Sequence, residues 1–227
     1  MTTTKSGIRQ IRPDLWETRT DSPFPGLTTH AYLWTRPAGN VLFYSPATES
    51  DFGAIGALGG VAHQYLSHLD EAGPMLGAVK RHFGSQLHAS VRERDEIGKH
   101  APIDVPTQAH EVDDNGVEVI PTPGHSRGST SYLVTGAGDE KYLFTGDTMF
   151  PTVNGSWSTY LVPGRGDADE LWASLELLGT LAPDVVISSA YGGDSAVYEL
   201  TPGRWSAFID QALRTVPRQI SKNGAVQ

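Results

Sequence analysis

Short β-type runs recur along the chain, each ended by glycine, proline or polar residues, and from the middle of the chain onward they alternate with helical patterns. The runs are ETRT after Trp16, HAYLW at 30–34, VLFYS at 41–45, AHQYLS at 62–67, GVEVIPT at 116–122, TSYLVT at 130–135, KYLFTG at 141–146 and DVVISS at 184–189. Strands that come first in a meander and then alternate with helices predict a layered α/β or α+β protein, in which helices cover the sheets.

Three segments carry apolar residues three or four positions apart, which predicts helices over 74–83, 168–181 and 203–214. Within the second segment, Leu171, Leu175 and Leu178 share one face. Either Asp167 or Asp169 is placed to cap its N-terminus.

The chain has 227 residues, of which 38% are hydrophobic and 19% charged, so it can bury a core of ordinary size. We therefore predict one domain over residues 1–227. Residues 217–227 are expected to form a flexible tail.

The net charge of -9 excludes a nonspecific nucleic-acid binder, because such proteins need Lys and Arg to neutralise phosphates. No apolar run near the start is long enough for a signal peptide or a membrane span, so we expect a cytoplasmic protein without a membrane partner. A small-molecule substrate is the expected partner. The sequence does not indicate an oligomeric state.

Ionisable side chains follow three of the predicted strands. His68, Asp70 and Glu71 lie between AHQYLS and the helix that begins at Gly73-Pro74, His125 lies in PTPGHSRGST, and Asp147 follows KYLFTG. Because the chain has no cysteine, any metal must be bound by His, Asp and Glu. Histidine and carboxylate ligands on three strand-end loops are typical of a divalent-metal site.

In their order along the chain, TPGHSRGSTSYL and YLFTGDTMF resemble two elements of the metallo-β-lactamase superfamily. The early NVLFYSP, followed by a helix and AHQYLSH, resembles the family's first strands, so the resemblance covers about residues 8–200. It implies an αββα sandwich with two mixed β-sheets, helices on their outer faces, and a metal at one edge of the sheets.

The family's first element, T-H-x-H-x-D-H, is reduced here to SHLDEAG, and two alignments remain open. In the first, His68 takes the place of the first histidine and Asp70 that of the second, while Ala72 and Gly73 stand at the second-metal positions. In the second, Asp70 is the family's aspartate, His68 is the second histidine and Glu71 replaces the third.

Both alignments leave His68, His125 and Asp147 at the metal, with Asp70 or Glu71 as the candidate for a further ligand. At the far end, VVISSAYGGD places Tyr191 where the family has its last histidine. The resemblance therefore implies one divalent ion, with zinc expected and Fe(II) as the alternative.

The resemblance implies a hydrolase in which a metal-bound water attacks an ester, thioester, lactone or amide. In that reaction Asp70 or Glu71 would orient or deprotonate the water, and Tyr191 would donate a hydrogen bond to the developing oxyanion. Simpler alternatives are that Glu71 is an acid favoured at a helix start and that Tyr191 is a partly buried strand-end tyrosine.

Substrate contacts are expected from the irregular stretch MFPTVNGSWSTYLVPGRGD, with Trp157, Tyr160 and Arg165, and from the early loop SPFPGL. Arg127 is placed to meet an anionic group or to pair with a nearby acid. A solvated linker is the alternative for the long stretch.

Two other functions compete with the hydrolase. Two histidines and one carboxylate also form the iron site of mononuclear oxygenases, and the chain resembles the persulfide dioxygenases of the same superfamily in this respect. The second is a metal-free descendant that binds a ligand without turnover. A nuclease is disfavoured by the acidic charge.

Overall fold

The computed structural model describes residues 7–192 and 195–217. Its strands are short and follow one another closely along the chain: β1 (Arg9–Arg12), β2 (Leu15–Glu17), β3 (Asp21–Phe24), β4 (Leu27–Thr29), β5 (Tyr32–Trp34), β6 (Val41–Phe43), β7 (His63–Tyr65), β8 (Gln86–Ser90), β9 (Val105–Thr107), β10 (Glu111–Val112), β11 (Glu118–Pro121), β12 (Thr130–Thr135), β13 (Lys141–Gly146), β14 (Phe150–Pro151), β15 (Trp157–Ser158), β16 (Val185–Ser188), β17 (Ala190–Tyr191) and β18 (Val197–Glu199).

The α-helices of the described residues are α1 (Phe52–Ala57), α2 (Pro74–Phe83), α3 (Arg94–Ile97), α4 (Ala168–Gly179) and α5 (Arg204–Thr215). The three predicted helices are confirmed, although α4 ends at Gly179 rather than at residue 181. Asp167 is the cap of α4, because its side chain accepts hydrogen bonds from the backbone N–H groups of Asp169 and Glu170.

Two mixed sheets form the centre of the protein. The first has the order β1-β2-β5-β6-β7-β8-β9, antiparallel up to β6 and parallel from β6 to β9. The second has the order β10-β11-β12-β13-β16-β18, in which only β13 and β16 run parallel. Two smaller sheets, β14-β15 and β17-β4-β3, lie beside them.

The two large sheets pack face to face through aromatic side chains. Phe43 of β6 stacks on Phe144 of β13 with their ring centroids 3.9 Å apart. In the second sheet, Phe144 and Ile187 contribute to this inner core, whereas Leu143 and Val186 belong to a separate cluster on the opposite face. Alternation of faces along a strand that is buried on both sides explains why consecutive apolar residues fill 142–144 of β13 and 185–187 of β16.

Helices cover the outer faces of both sheets. Leu171, Leu175 and Leu178 of α4 join Phe208 and Ile209 of α5 against the second sheet. On the first sheet, Leu76 of α2 packs with Leu87 of β8 and Leu66. The predicted αββα sandwich with two mixed sheets is therefore confirmed.

Some strands differ from their predicted bounds. Of the predicted strand ETRT, only Glu17 belongs to a strand. The N–H of Thr18 donates to the Ala31 carbonyl, and the N–H of Arg19 donates to the Asp51 carboxylate. The strands that were not predicted from the sequence are β1, β3, β4, β8, β9, β10, β14, β15, β17 and β18. Of the expected tail at 217–227, all but Pro217 lies outside the described residues. No helix within the described ranges is both long and apolar enough to cross a bilayer.

Candidate metal centre

Three loops converge where strands of the two sheets end. His68 follows β7 and precedes a 3-10 turn, Leu69–Glu71, after which α2 begins at Pro74. Asp147 directly follows β13, and Ser189 directly follows β16. Because β13 and β16 are parallel, their carboxyl ends meet at one edge, which brings these side chains together.

A close approach of two loops requires glycine at position 146. Gly146 has φ 55°, and a Cβ there would fall far inside contact distance of the Ser67 side chain. The Tyr44 hydroxyl accepts a hydrogen bond from the Gly146 N–H and donates one to the Ile187 carbonyl, both at 3.0 Å. The glycine before Asp147 therefore allows the β7 and β13 loops to meet at the site.

The loop that carries His125 is held by the buried side chain of Glu93. The N–H of Gly128 donates to Glu93 Oε1 over 3.1 Å, and a Cβ at position 128 would overlap the Glu93 side chain. Burial raises the pKa of Glu93, and hydrogen bonds from Ser126, Gly128 and Leu69 oppose that rise. The buried Glu93 carboxyl group thus holds the His125 loop in place through Gly128.

A second glycine is required immediately before His125. Gly124 has φ 135°, and a Cβ there would overlap the backbone of Leu171 in α4. The Gly124 carbonyl also accepts the N–H of Asp167, the cap of that helix. The Pro-Gly-His sequence thus holds His125 against the start of α4.

Gly124→Ala is expected to lower the free energy of unfolding by about 3 kcal/mol or more, because strain at positive φ adds to a backbone collision. Gly116→Ala is the matched control, since Gly116 also has positive φ but open space around it, and its expected cost is about 1 kcal/mol. Urea denaturation of both variants measures the difference. Equal losses would contradict the close packing of this loop on α4.

Three side chains form a group with the spacing of a metal site. His68, Asp70 and His125 each offer a ligand atom, and these atoms all lie within 4.8 Å of one another. The two imidazole rings are nearly perpendicular, with centroids 4.7 Å apart, and His125 Nε2 lies 3.9 Å from Asp70 Oδ2. Both histidines are buried, whereas the Asp70 side chain is half exposed.

Hydrogen bonds to the Nδ1 atoms orient both rings. His125 Nδ1 donates to the Tyr160 carbonyl over 2.9 Å, so the buried Nε2 carries the lone pair. His68 Nδ1 lies 2.8 Å from Ser67 Oγ. Burial lowers the pKa of His68 well below its usual value, although nearby Asp147 acts in the opposite direction. His68 is therefore neutral at pH 7, as a metal ligand must be.

The Glu71 carboxyl group is hydrogen-bonded to Ser67 and does not belong to the group of ligand atoms from His68, Asp70 and His125. Ser67 donates its hydroxyl to Glu71 Oε1 over 2.6 Å and its N–H to Oε2 over 3.0 Å. Burial raises the pKa of Glu71 to about 8, despite these two hydrogen bonds. With its hydroxyl proton directed to Glu71, Ser67 accepts from His68 Nδ1 and supports that ring orientation.

Asp147 lies beside this group without belonging to the three mutually close ligands. Its Oδ2 is 3.6 Å from His68 Nε2, and its Oδ1 accepts a short hydrogen bond from the Ser189 hydroxyl. The side chain is 19% exposed and forms part of the wall of the adjoining cavity.

The site opens into a cavity of about 630 Å³. The residues that line it include His68, Asp70, Glu71, His125 and Asp147, together with Tyr160, which is 53% exposed. This volume is typical of pockets for small organic ligands.

Tyr191 is not placed for its predicted role. His30 Nδ1 lies 2.7 Å from the Thr18 carbonyl and must donate to it, so His30 Nε2 accepts the Tyr191 hydroxyl at 2.9 Å. That hydroxyl proton is therefore directed to His30. Tyr191 is buried and stacked on His30, and it is not among the residues that line the cavity.

Three of the four predicted substrate contacts also lie elsewhere. Trp157 is 1% exposed and packs in the outer core of the second sheet, stacked on Phe208 at 4.9 Å. Arg127 lines a separate cleft of only about 30 Å³, and Arg165 is exposed and does not line the main cavity. Tyr160 alone of the four lines the cavity.

Several residues at the site were not singled out from the sequence. They are Tyr44, Ser67 and Ser189, which hold the strand ends or the ionisable side chains, and His30 in the cavity wall. For Ser189 a signal existed, because it ends the predicted run DVVISS, just as Asp147 follows the predicted run KYLFTG. The short-range sequence carries no comparable signal for the pairing of His30 with Tyr191, 161 residues apart.

The side chains present fit a single divalent cation. His125 Nε2 is buried and has no hydrogen-bond partner within the described part of the chain. A buried lone pair without a partner lowers the stability of the folded protein unless a ligand binds to it. It points toward a second neutral imidazole and a carboxylate, a donor set suited to zinc or iron(II).

The model of the metallo-beta-lactamase superfamily matches residues 51–190, which include all three of these side chains and Asp147. The chain belongs to this superfamily. The match spans more than half of the chain and confirms the resemblance carried by the Pro-Gly-His and Gly-Asp elements.

Two curated relatives are hydrolases by name. A probable metallo-hydrolase of Methanocaldococcus jannaschii is 36% identical over 87 residues, which is 38% of this chain and 38% of the relative. A hydroxyacylglutathione hydrolase of Shewanella sp. strain ANA-3 is 27% identical over 136 residues, or 58% of this chain and 46% of the relative. The matched regions thus span less than half of either relative.

Solved structures support the fold at low sequence identity. A metallo-beta-lactamase from Pontibacter korlensis aligns with a TM-score of 0.70 and 17% identity, covering 93% of this chain and 99% of its own. One from Cronobacter sakazakii aligns at 0.62 and 18%, covering 81% and 77%.

Proposed function

We propose that the protein is a metal-dependent hydrolase of a small ester, thioester, lactone or amide, with one divalent ion at His68, Asp70 and His125. The observation that carries this proposal is the mutual closeness of these three ligand atoms in the lining of a ligand-sized cavity. The names of the two relatives support a hydrolase but cover too little of each protein to identify the substrate.

The first of the two alignments is the one this ligand set supports. Asp70 occupies the place of the family's second histidine and faces His125, whereas Glu71 is occupied by two hydrogen bonds from Ser67. We therefore assign Asp70 to the metal and Glu71 to the support of Ser67 and His68. Neither Glu71 nor Tyr191 is assigned to the reacting atoms.

A divalent ion held here would lower the pKa of a bound water and polarise the substrate carbonyl. The protein's own contribution begins with Asp147, whose Oδ2 faces the site and can accept the water's proton. The Ser189 hydroxyl donates to Asp147 Oδ1 and so keeps Oδ2 directed toward the metal-bound water. The apolar part of the cavity wall holds the acyl group and excludes solvent.

An iron(II) oxygenase is the second candidate, because two imidazoles and one carboxylate are also the ligands of mononuclear iron sites. Zinc cannot change oxidation state, so the two functions separate by metal.

The test is to load chelator-stripped protein with Zn²⁺ or Fe²⁺ and to assay both forms. We expect the zinc form to cleave at least one of a panel of simple esters, thioesters and lactones, and to lose this activity on chelation. Oxygen uptake by the iron form with a glutathione persulfide, beside an inert zinc form, would contradict the hydrolase and support the oxygenase.

A further inference from the structure

The wall of the cavity is rich in acids, and among the described residues it contains no basic side chain other than histidine. Asp21, Asp70, Glu71 and Asp147 all line it, while no Lys or Arg in the described part of the chain does so. Lys and Arg are common in the described part of the chain, so their exclusion from a wall that holds four acids is a specific feature of this site.

Several cations of the described chain are committed to partners elsewhere. Arg19 donates to the buried Asp51 over 2.8 Å, and Arg36 donates to Asn115. Arg127, the residue with which the sequence suggested anion binding, faces the separate small cleft. A negatively charged substituent in the main cavity would therefore find no fixed cation of the described residues in its wall.

The rest of the cavity wall is largely apolar. Its apolar lining residues include Pro23, Leu27, Pro46, Met75 and Phe150. Such a surface gains free energy by covering hydrocarbon and offers little to replace the hydration of an anion.

The charge of a bound divalent ion does not reverse this balance. Its two positive charges are matched by the carboxylates of Asp70 and Asp147 beside it, which leaves Asp21 as a further negative charge at the cavity's exposed wall. The potential over the acyl-binding part of the cavity is thus neutral to negative.

We propose that the cavity selects acyl compounds without an anionic group on the acyl chain and rejects otherwise matched anionic ones. This inference rests on the hydrolase proposed above for its chemistry, but the charge selection belongs to the cavity itself. Rejection arises from unpaired desolvation of the anion together with repulsion by the wall carboxylates.

The first experiment compares two 4-nitrophenyl esters of nearly equal shape on the zinc-loaded protein: the 6-methylheptanoyl ester and the adipoyl monoester, in which a carboxylate replaces the terminal isopropyl group. We expect kcat/KM for the adipoyl ester to be at least ~30-fold lower, as repulsion between like charges in a poorly hydrated site requires. Equal or faster cleavage of the adipoyl ester would overturn the inference.

A binding measurement separates this inference from the proposed activity. The probes are 7-methyloctan-2-one, which ends in an isopropyl group, and 6-oxoheptanoate, which ends in a carboxylate; both are ketones and are not hydrolysed. The protein is metal-free, so that the carboxylate cannot bind directly to a metal ion. We expect NMR titration to show binding of the neutral ketone only. Equal binding of both, or binding of neither, would overturn the inference. Binding of the ketone without turnover of any ester would sustain it and contradict the hydrolase alone.

A charge reversal at the cavity wall gives the converse test. Asp21 is exposed, so Asp21→Lys should fold normally and add a cation to the wall. We expect this variant to bind 6-oxoheptanoate and to shift the ratio of kcat/KM values toward the adipoyl ester by at least ~10-fold, with Asp21→Asn intermediate. An unchanged preference in Asp21→Lys would contradict selection by wall charge.

Discussion

His125→Ala is expected to remove the metal from the protein. His125 supplies a buried Nε2 that has no hydrogen-bond partner among the residues the structure describes, so its loss takes away one of three ligands and opens a gap beside His68. Loss of a direct ligand should cost at least ~100-fold in affinity, since even supporting residues cost 10–100-fold. Metal analysis of protein purified without added metal, followed by zinc titration against a chromogenic chelator, measures the change.

His100→Ala is the matched control. His100 is exposed at the end of the turn after α3 and belongs to no group of potential ligands among the described residues. Its metal content should equal that of the unmodified protein, as should that of His82→Ala. Full metal content in the His125 variant would remove the basis of the site.

The second large effect separates two adjacent acids. Asp70→Ala should reduce metal affinity by about 100-fold, because Asp70 is the carboxylate that faces both imidazoles. Glu71→Ala should reduce affinity by less than about 10-fold, because Glu71 acts on His68 only through the Ser67 hydroxyl. Both values come from the same zinc titration.

A reversed order of these two losses would select the other alignment of SHLDEAG, with Glu71 at the metal. Two small losses would instead indicate that the ion is held by His68, His125 and Asp147. In either case the assignment of Asp70 would be wrong, whereas the position of His125 would stand.

The sandwich could be predicted because its signals are local. Strands β12 and β13 have the bounds read from the sequence, since TSYLVT and KYLFTG are apolar runs ended by Thr-Gly and Gly-Asp. The glycines in Pro-Gly-His and Gly-Asp mark places where the backbone of one element touches another, at Leu171 and Ser67. These short glycine-containing motifs therefore indicate where distant parts of the chain pack closely against each other.

The cavity wall could not be predicted in the same way. An aromatic residue in a Gly-rich loop, such as Trp157, is predicted to bind substrate. Trp157 instead packs on Phe208, in a helix 51 residues further along the chain. Likewise, Tyr191 takes its role from His30, which belongs to the opposite end of the sequence. The side on which a loop residue lies is decided by packing between distant elements, and spacing along the chain does not encode it.

The central claim is one divalent ion at His68, Asp70 and His125. A crystal of the zinc-loaded protein, measured at the zinc absorption edge, tests it most directly. We predict one anomalous peak per chain, within about 2.0–2.2 Å of His68 Nε2, His125 Nε2 and an Asp70 carboxylate oxygen. A peak at other residues, two peaks in the site, or none at full zinc loading would contradict the account.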